Sequence, residues 1–290
     1  MSDLPLVTIG LPFYNDERTI VDAVKSVLIQ TYVNWELIMV NDGSTDGSFN
    51  LLKELHHHPK IVWINDGTNK GLIARLNQIS SIAKGRYVAR MDADDLMDPE
   101  RIEKQVRFLM EHPDVDLVDT GTYSIDRDGV PCGKRGLADI NYDPKHIIKH
   151  AMLLHASIVG KKEWFLKNPY DKEYVRAEDY ELWCRTYRSS TFARIKEPLY
   201  IVREGRVSVK NYKKSMVTVR KIMRKYGKGV FKSSELYMEL FKSKLKVFAY
   251  EVFSALNKHD YLSNLRNERL SEAEKKATEQ IINNIKGISI

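Results

Sequence analysis

The N-terminal half of the chain repeats one pattern, in which short apolar runs alternate with longer amphipathic stretches. The apolar runs have the length and composition of buried strands, and they are Leu6–Leu11, Glu36–Val40, Ile61–Ile64, Tyr87–Met91 and Val115–Thr120. The stretches between them have helical periodicity, and they are Glu17–Gln30, Asp46–His56, Gly71–Lys84 and Pro99–Glu111. This alternation predicts an α/β fold with a mostly parallel central sheet that is flanked by helices on both faces.

Polar, turn-forming clusters follow the first four apolar runs: Pro12–Glu17, Asn41–Asp46, Asn65–Gly71 and Asp92–Asp95. Because the carboxyl ends of parallel strands meet at one edge of a sheet, we expect these clusters to face a single crevice. Ligands bind in such crevices in open α/β sheets. Turn chemistry explains the Asn, Asp and Gly residues, but it does not explain why so many carboxylates converge on one side.

Helical periodicity returns after Arg206, in Asn211–Tyr226 and Ser233–Leu256, and a short polar helix is expected near the C-terminus. We therefore divide the 290 residues into an α/β domain over residues 1–210 and a basic helical extension over residues 211–290. No apolar run reaches membrane-spanning length and the N-terminus does not begin a signal peptide. With two widely separated cysteines, these features predict a cytoplasmic protein.

The positive charge belongs to the C-terminal part. Residues 206–258 contain 14 Lys or Arg and three Glu, a balance of +11, whereas the whole chain carries +7 and the remainder therefore −4. The basic helices have three possible roles, which are packing over the catalytic domain, pairing with another copy, or contact with an anionic membrane at its inner face. The sequence favours packing or pairing over the membrane. It contains no stacking motif or recognition helix, so we expect no nucleic-acid partner.

Asp92 and Asp94 lie two residues apart, directly after an apolar strand. Hard oxygen ligands at this spacing suit Mg²⁺ or Mn²⁺. A cation of this kind offsets the charge that develops on a departing diphosphate. A cluster that merely caps the helix beginning near Pro99 is the alternative explanation.

Five segments together resemble the family 2 glycosyltransferases, which have the A-type glycosyltransferase fold of nucleotide-diphospho-sugar transferases. These segments are Val7–Asn15, Leu37–Asp46, Asn69–Asn77, Gly85–Asp95 and the dipeptide Glu178-Asp179. They occur in the order and at the spacing of the family over roughly residues 5–210. Each motif is weak alone, and their combination is specific.

The resemblance implies a donor site for a UDP-sugar. Residues Pro12 to Asn15, including Tyr14, would pack around the nucleobase, and Asp42 would accept a hydrogen bond from the uracil imide. Asp42 forming an Asx turn with Gly43 is the alternative explanation. The remaining matches are Asn69 and Arg75 near the base and ribose, Asp92 near the ribose, Asp94 as the metal ligand, and Arg203, Arg206 and Ser208 near the diphosphate.

Two of these assignments carry an alternative or a departure from the family. Arg75 falls on a predicted helix, where it would otherwise form only a surface ion pair. Many relatives have a histidine near the diphosphate stretch, where this chain has Glu204 and Gly205. No residue of this chain is therefore assigned to the last metal or phosphate contact of the family. Arg203 or Arg206 would have to neutralise the diphosphate instead.

By the same resemblance, Asp179 is the catalytic base and Glu178 its acidic neighbour. An acceptor hydroxyl needs a group that removes its proton as it attacks the anomeric carbon, and a single displacement inverts the anomeric configuration. A carboxylate at a helix N-terminus is expected to stay ionised. Simple preference of both residues for a first helical turn is the alternative explanation.

Two residues are candidates for the acceptor side. His155 lies in a segment that resembles the acceptor side of the family. Trp183 follows Asp179 by one helical turn, so it would either face the same crevice as a platform for a sugar or, with Trp164, belong to the core.

The predicted function is that of an inverting hexosyltransferase, assisted by Mn²⁺ or Mg²⁺, that transfers a sugar from UDP to a carbohydrate or lipid-linked saccharide during polysaccharide synthesis. The alternative is a non-catalytic nucleotide-sugar-binding protein of the same fold. Because Asp94 and Asp179 are both present, the sequence favours the enzyme.

Overall fold

The computed structural model describes residues 4–205, 208–255 and 267–289. Its strands are β1 (Val7–Phe13), β2 (Trp35–Asn41), β3 (Ile61–Asn65), β4 (Tyr87–Arg90), β5 (Leu96–Met97), β6 (Leu117–Ile125), β7 (Pro131–Arg135), β8 (Val159–Lys161) and β9 (Phe192–Arg203). The helices are α1 (Ile20–Leu28), α2 (Leu72–Ile82), α3 (Arg101–Glu111), α4 (Pro144–Ile147), α5 (Lys162–Lys167), α6 (Glu178–Thr186), α7 (Val209–Tyr226), α8 (Ser233–Ala255) and α9 (Glu272–Lys286).

The strands form one sheet in the order β3-β2-β1-β4-β8-β6-β9-β5, with β7 paired to β6. The first four of these strands are mutually parallel, so their carboxyl ends meet at one edge as the sequence predicts. β8 runs antiparallel to β4 and to β6, whereas β6 and β9 are parallel. The α/β fold is confirmed, with a parallel half that carries the predicted crevice and a mixed half beside it.

Burial explains why the apolar runs become strands. Every residue of β1 and β2 is buried, as expected for central parallel strands that are covered on both faces. One predicted helix is wrong, because Asp46–His56 contains only a 3₁₀ segment over Asn50–Leu55. The Asp46 carboxylate accepts hydrogen bonds from the backbone N–H and the hydroxyl of Ser48, which holds this part of the chain in a loop.

The C-terminal helices pack on the α/β part in two places. α7 lies against α6 and α8, while α9 returns to α1 and β7. Ile282 and Ile285 of α9 join a buried cluster with Leu96, Ile125 and Ile201 of the sheet. Within the described ranges, every helix is too short or too polar to span a bilayer. The domain boundary at residue 210 stays a prediction.

Candidate active site

A cleft of about 360 Å³ lies beyond the carboxyl ends of the parallel strands. The residues that line it come from all four predicted strand-end clusters, and they are Pro12, Phe13, Tyr14, Asp16, Asp42, Asn69, Gly71, Leu72, Arg75, Asp92, Ala93 and Asp94. We call it the strand-end cleft. The structure thus brings together six of the predicted donor-side residues and the predicted metal ligand, and they are Pro12, Tyr14, Asp42, Asn69, Arg75 and Asp92, with Asp94 as the metal ligand.

Asn15 contributes to this cleft indirectly. Its backbone has a positive φ of 58°, and its side-chain oxygen accepts a hydrogen bond from the backbone N–H of Thr45 at 2.8 Å. The backbone N–H of Asn15 donates to the Ser44 hydroxyl in return. Asn15 therefore joins the loop after β1 to the loop after β2, and it holds Tyr14 exposed at the cleft.

Asp42 lies at the centre of a buried polar network. Its carboxylate accepts hydrogen bonds from the backbone N–H groups of Lys70 and Gly71, at 2.8 and 3.0 Å, and from Arg75 Nε at 2.7 Å. The alternative Asx turn is wrong for Asp42, because Asn41 makes that bond instead, accepting from the backbone N–H of Ser44.

Arg75 is fully buried rather than at the surface, so the surface ion pair is also wrong. Its guanidinium bonds Asp42 on one edge and both oxygens of Asp66 on the other. The hydrogen bonds from Arg75 and Lys70 hold the pKa of Asp66 well below its usual range. Arg75 therefore fixes the cleft wall formed by Asn69 to Leu72.

The acidic cluster forms the opposite wall of the strand-end cleft. Carboxylate oxygens of Asp92, Asp94 and Asp95 lie within 4.8 Å of one another. The side chain of Asp94 is exposed at the cleft. Desolvation by neighbouring atoms, followed by the charges of Asp92 and Asp16, raises the pKa of Asp94 to about 6.

Asp95 points away from the cleft. It is buried, and its carboxylate accepts a hydrogen bond from the backbone N–H of Arg203 at 2.8 Å. Burial and the neighbouring charges of Asp94 and Asp92 raise its pKa well above the usual value. Asp95 therefore anchors the acidic turn to β9, whereas Asp92 and Asp94 face the cleft.

The cluster fits a hard divalent cation. Asp92 and Asp94 offer partly exposed oxygen ligands beside open space, which is the donor set that Mg²⁺ and Mn²⁺ prefer. Asp94, with Asp92 beside it, would hold the ion.

Two buried arginines lie under the acidic cluster. Arg90 pairs with Asp92, at 2.6 Å from Nη2 to Oδ1, and its Nε is buried without a hydrogen-bond partner among the residues that the structure describes. Arg101 donates from Nη2 to the Arg90 carbonyl and stacks over the ring of Tyr200. The backbone N–H of Asp92 donates to the Tyr200 hydroxyl. This layer positions Asp92 from below.

A second cleft adjoins the first and has a volume of about 750 Å³. We call it the α6 cleft, and it is lined by Lys70, Gly71, Leu72, Ile73, Ala74, Asn77, Lys172, Val175, Arg176, Glu178 and Ser215. Gly71 and Leu72 line both clefts. Arg176 has a positive φ of 68°, which is uncommon for a residue with a side chain and marks local backbone strain two residues before Glu178.

Glu178 and Asp179 begin α6, as the sequence predicts. Glu178 lines the α6 cleft, and burial followed by repulsion from Asp179 raises its pKa. Burial also raises the pKa of Asp179, opposed by a hydrogen bond from the Tyr180 backbone and by the charge of Arg90. Desolvation of the Asp179 carboxylate therefore outweighs the effect of the helix N-terminus, which we expected to favour its charged form. The raised pKa gives Asp179 a higher proton affinity than an exposed aspartate has.

Trp183 does not face either cleft. It is fully buried and packs against Trp164, Phe192 and His155. The sugar platform is therefore wrong and the core assignment is confirmed, because one turn of α6 carries this side chain under the sheet. The Nε2 of His155 lies 2.8 Å from the Tyr170 hydroxyl. Burial and the charge of Arg90 lower the pKa of His155 well below its usual value, so it is neutral. Its acceptor role stays a prediction.

The diphosphate stretch also differs from expectation. Ser208 is the N-cap of α7, where its hydroxyl accepts from the backbone N–H of Asn211. Arg203 donates to the carbonyls of Asp94, Asp126 and Arg127, so it braces the acidic turn. Arg206 lies outside the described residues.

The sequence reasoning missed Asp16, Asp66 and Arg176 and left Arg90 unassigned. Asp16 and Asp66 belong to the strand-end clusters and were visible there. Arg90 directly precedes the acidic cluster, and its partner Asp92 is two residues away. Arg176 gave no signal, because its backbone strain arises only in the folded chain.

Comparison of this fold with solved structures identifies the fold class of the protein. TarS from S. aureus, residues 1–349 in complex with UDP, matches with a TM-score of 0.60 at 17% identity over 84% of this chain and 72% of that one. The mannosyltransferase PcManGT from Pyrobaculum calidifontis, in complex with GDP-Man and Mn²⁺, matches with a TM-score of 0.59 at 16% identity over 98% and 87%. These likenesses show the A-type glycosyltransferase fold.

The sequence then gives the family. The profile described as glycosyl transferase family 2 matches residues 8–175. Bacillus subtilis EpsE, which is named as a glycosyltransferase, is 38% identical over 210 residues, covering 70% of this chain and 75% of that protein. The chain belongs to glycosyl transferase family 2 and is a glycosyltransferase.

Proposed function

We propose that this enzyme transfers a sugar from a UDP-sugar to a saccharide hydroxyl by a metal-assisted, inverting displacement with Asp179 as the base. The observation that carries the proposal is the shared wall of the two clefts, Gly71 and Leu72. Carboxylates suited to a metal–diphosphate complex line one cleft, and the acidic start of α6 borders the other. A donor and an acceptor would thus meet at this wall.

Hydrogen bonding at Asp42 supports uracil as the base. A carboxylate has about four acceptor positions, and donors from Lys70, Gly71 and Arg75 occupy three at Asp42. The imide N–H of uracil would occupy the fourth, whereas cytosine presents an acceptor there. The TarS complexes with UDP and UDP-GlcNAc agree with this donor class. Because PcManGT was solved with GDP-Man, the base needs a direct test.

Asp94 and Asp92 would hold Mn²⁺ or Mg²⁺ against the donor diphosphate. A bound divalent cation offsets the negative charge that develops on the departing diphosphate. Tyr14, exposed at the mouth of the cleft, would stack on the base. Arg90 would orient Asp92 from below, through the contact between Nη2 and Oδ1.

Asp179 would take the proton from the acceptor hydroxyl. As the hydroxyl oxygen forms a bond to the anomeric carbon, the bond from that carbon to the diphosphate oxygen breaks, and its electron pair leaves with UDP. Attack from the face opposite the leaving group inverts the configuration. The raised pKa of Asp179 makes it a stronger base for this step.

The lining of the α6 cleft indicates the class of acceptor. Leu72, Ile73, Ala74 and Val175 give it an apolar wall, and Lys70, Lys172 and Arg176 add positive charge. An acceptor with a saccharide, an apolar portion and a negative charge, such as a saccharide on a lipid phosphate, matches this combination. Such acceptors serve the assembly of polysaccharides and glycoconjugates.

Replacing Asp179 with Asn tests the proposal. We expect UDP binding to persist and sugar transfer to fall by about 10²-fold or more, because general-base catalysis contributes about 10²–10⁴-fold. Glu178→Gln is the matched control, since it removes the adjacent charge and should reduce transfer less. Full transfer activity in Asp179→Asn would exclude Asp179 as the base.

A further inference from the structure

Asn77 of α2 and Tyr170 of the loop before α6 are joined by a reciprocal pair of hydrogen bonds. Asn77 Nδ2 donates to the Tyr170 carbonyl, and Asn77 Oδ1 accepts from the Tyr170 backbone N–H, both at 2.9 Å. One amide side chain thus binds both backbone groups of one residue, as two residues do across an antiparallel ladder. We call this contact the Asn77–Tyr170 pair. It joins parts of the chain that are 93 residues apart.

The position of Asn77 on α2 links this pair to the donor side of the site. Arg75, two residues earlier, binds Asp42 and Asp66 and so fixes α2 to the loops after β2 and β3. At 3.6 residues per turn, Asn77 and Arg75 point about 200° apart around the helix axis. Helix α2 is therefore held to the wall of the strand-end cleft on one side and to Tyr170 on the other.

Tyr170 is held through its side chain as well as through its backbone. Its ring is buried, and its hydroxyl lies 2.8 Å from His155 Nε2. The His155 ring makes an edge contact with Trp183, with 6.1 Å between ring centroids. Trp183 lies in α6, one turn after Asp179. The contacts of Tyr170 therefore lead to two helices, one that lines the donor side and one that begins with the proposed base.

The seven residues between Tyr170 and Glu178 form part of the wall of the α6 cleft, which α2 also lines. Helix α7 contacts this segment, for example through the exposed ion pair of Lys221 with Glu173, and exposed ion pairs contribute little. The Asn77–Tyr170 pair is partly buried and lies at the start of the segment. It is therefore the contact that ties this wall of the cleft to α2.

We propose that Asn77 is a positioning residue of the transfer reaction. The Asn77–Tyr170 pair holds the segment that leads into α6 against α2, and it thereby sets the position of Asp179 relative to a donor in the strand-end cleft. This inference rests on the proposed role of Asp179 as the base. Because the nitrogen and the oxygen of the Asn77 amide both bind Tyr170, Asn77 acts through this segment. A catalytic group that is misplaced by about 1 Å can cost roughly 10²-fold in rate.

Hydrogen exchange of the full chain, followed by mass spectrometry, tests whether the pair holds the segment. In Asn77→Ala we expect the backbone amides of residues 170–177 to exchange about tenfold or more faster, because two partly buried hydrogen bonds are lost. Asn77→Asp keeps the size of the side chain but loses the donor to the Tyr170 carbonyl, so it should change the exchange in the same direction. Ser81→Ala, at an exposed position of the same helix, is the control and should exchange like the original protein.

Turnover tests whether the pair positions the base. The rate measured is UDP release from UDP-glucose, UDP-galactose and UDP-N-acetylglucosamine, with water as the acceptor. We expect Asn77→Ala to lower kcat by about tenfold or more and to leave both the KM of the donor and the affinity for UDP with Mn²⁺ unchanged. Added to Asp179→Asn, the same substitution should lower kcat by less than about twofold, because both changes act on one base. UDP titration also shows whether each variant is folded.

Three results would overturn this role of Asn77. They are unchanged exchange in both Asn77 variants, faster exchange with an unchanged kcat, and a loss of UDP affinity as large as the loss of kcat, which would show that Asn77 only stabilises α2. A failure of the proposed function gives a different result. Asp179→Asn would then keep its full kcat, while the exchange of Asn77→Ala, which requires no substrate, would still report on the Asn77–Tyr170 pair.

Discussion

Arg75 lies fully buried between two carboxylates, with 2.7 Å from its Nε to Asp42 Oδ1 and 2.7 Å from its Nη2 to Asp66 Oδ1. One side chain thereby joins the end of β2 to the loop after β3 and to α2. The planar guanidinium, with donors on two edges, is suited to this geometry. Asn69, Gly71 and the nucleotide side of the strand-end cleft depend on it.

We therefore expect Arg75→Met to lower the free energy of unfolding by about 3–5 kcal/mol, because it leaves the buried Asp42 carboxylate without its ion pair. UDP binding should weaken in parallel. Urea unfolding measures the first effect, with the exposed Lys84→Met as control. A loss in Arg75→Met no larger than that of the control would show that the network does not hold the cleft wall.

The affinity for Mn²⁺ should depend on pH through Asp94. Its pKa is raised to about 6, so a proton competes with the ion below that pH and is absent above it. We expect the affinity to fall by roughly tenfold per unit as the pH decreases below 6, and to level off above it. Electron paramagnetic resonance of Mn²⁺ measures this. Asp94→Asn should bind weakly without this dependence, and a flat profile for the original protein would contradict the assignment.

Arg90 should set the pH dependence of catalysis. Its charge lowers the pKa of Asp179, opposing the effect of burial. In Arg90→Met the pKa of the base should rise, so the acidic limb of the profile of kcat/KM should move to higher pH. Arg86→Met, at the exposed neighbouring arginine, is the control. If the limb does not move in Arg90→Met, a group other than Asp179 accepts the proton.

The last helix should stabilise the sheet from outside the site. Ile285 is fully buried against Leu96, Ile125 and Ile201, and Lys134 pairs with Glu274 at the start of α9. We expect Ile285→Ala to cost about 2–5 kcal/mol in unfolding free energy through the cavity it leaves. The same substitution at the exposed Ile82 should cost less than about 0.5 kcal/mol. Equal effects would mean that α9 is not docked in solution.

Sequence periodicity was sufficient for the elements that position the site. Apolar runs predict the four parallel strands, and because parallel strands end at one edge, the sequence places Tyr14, Asp42, Asn69 and Asp94 in one cleft, as the structure does. The mixed half of the sheet was less accessible. Strands such as β5, with two residues, and β8, with three, are too short for their periodicity to be detected.

The roles of individual side chains were harder to predict, because they depend on partners far along the chain. Asn15 binds a loop 30 residues away, and Arg75 binds Asp42, 33 residues away. Trp183 has the spacing of a residue that faces the cleft, but the rotation of α6 directs it into the core. Ser208 carries a hydroxyl that could contact a phosphate, but in the structure this side chain caps the N-terminus of α7.

Calorimetric titration with UDP in the presence and absence of Mn²⁺, beside GDP, CMP and dTDP, tests the central claim most directly. We predict metal-dependent binding of UDP that is about tenfold or more tighter than that of GDP or CMP and is lost in Asp94→Ala. Tighter binding of GDP would contradict the role of Asp42, and the failure of every nucleotide to bind would contradict the donor site as a whole.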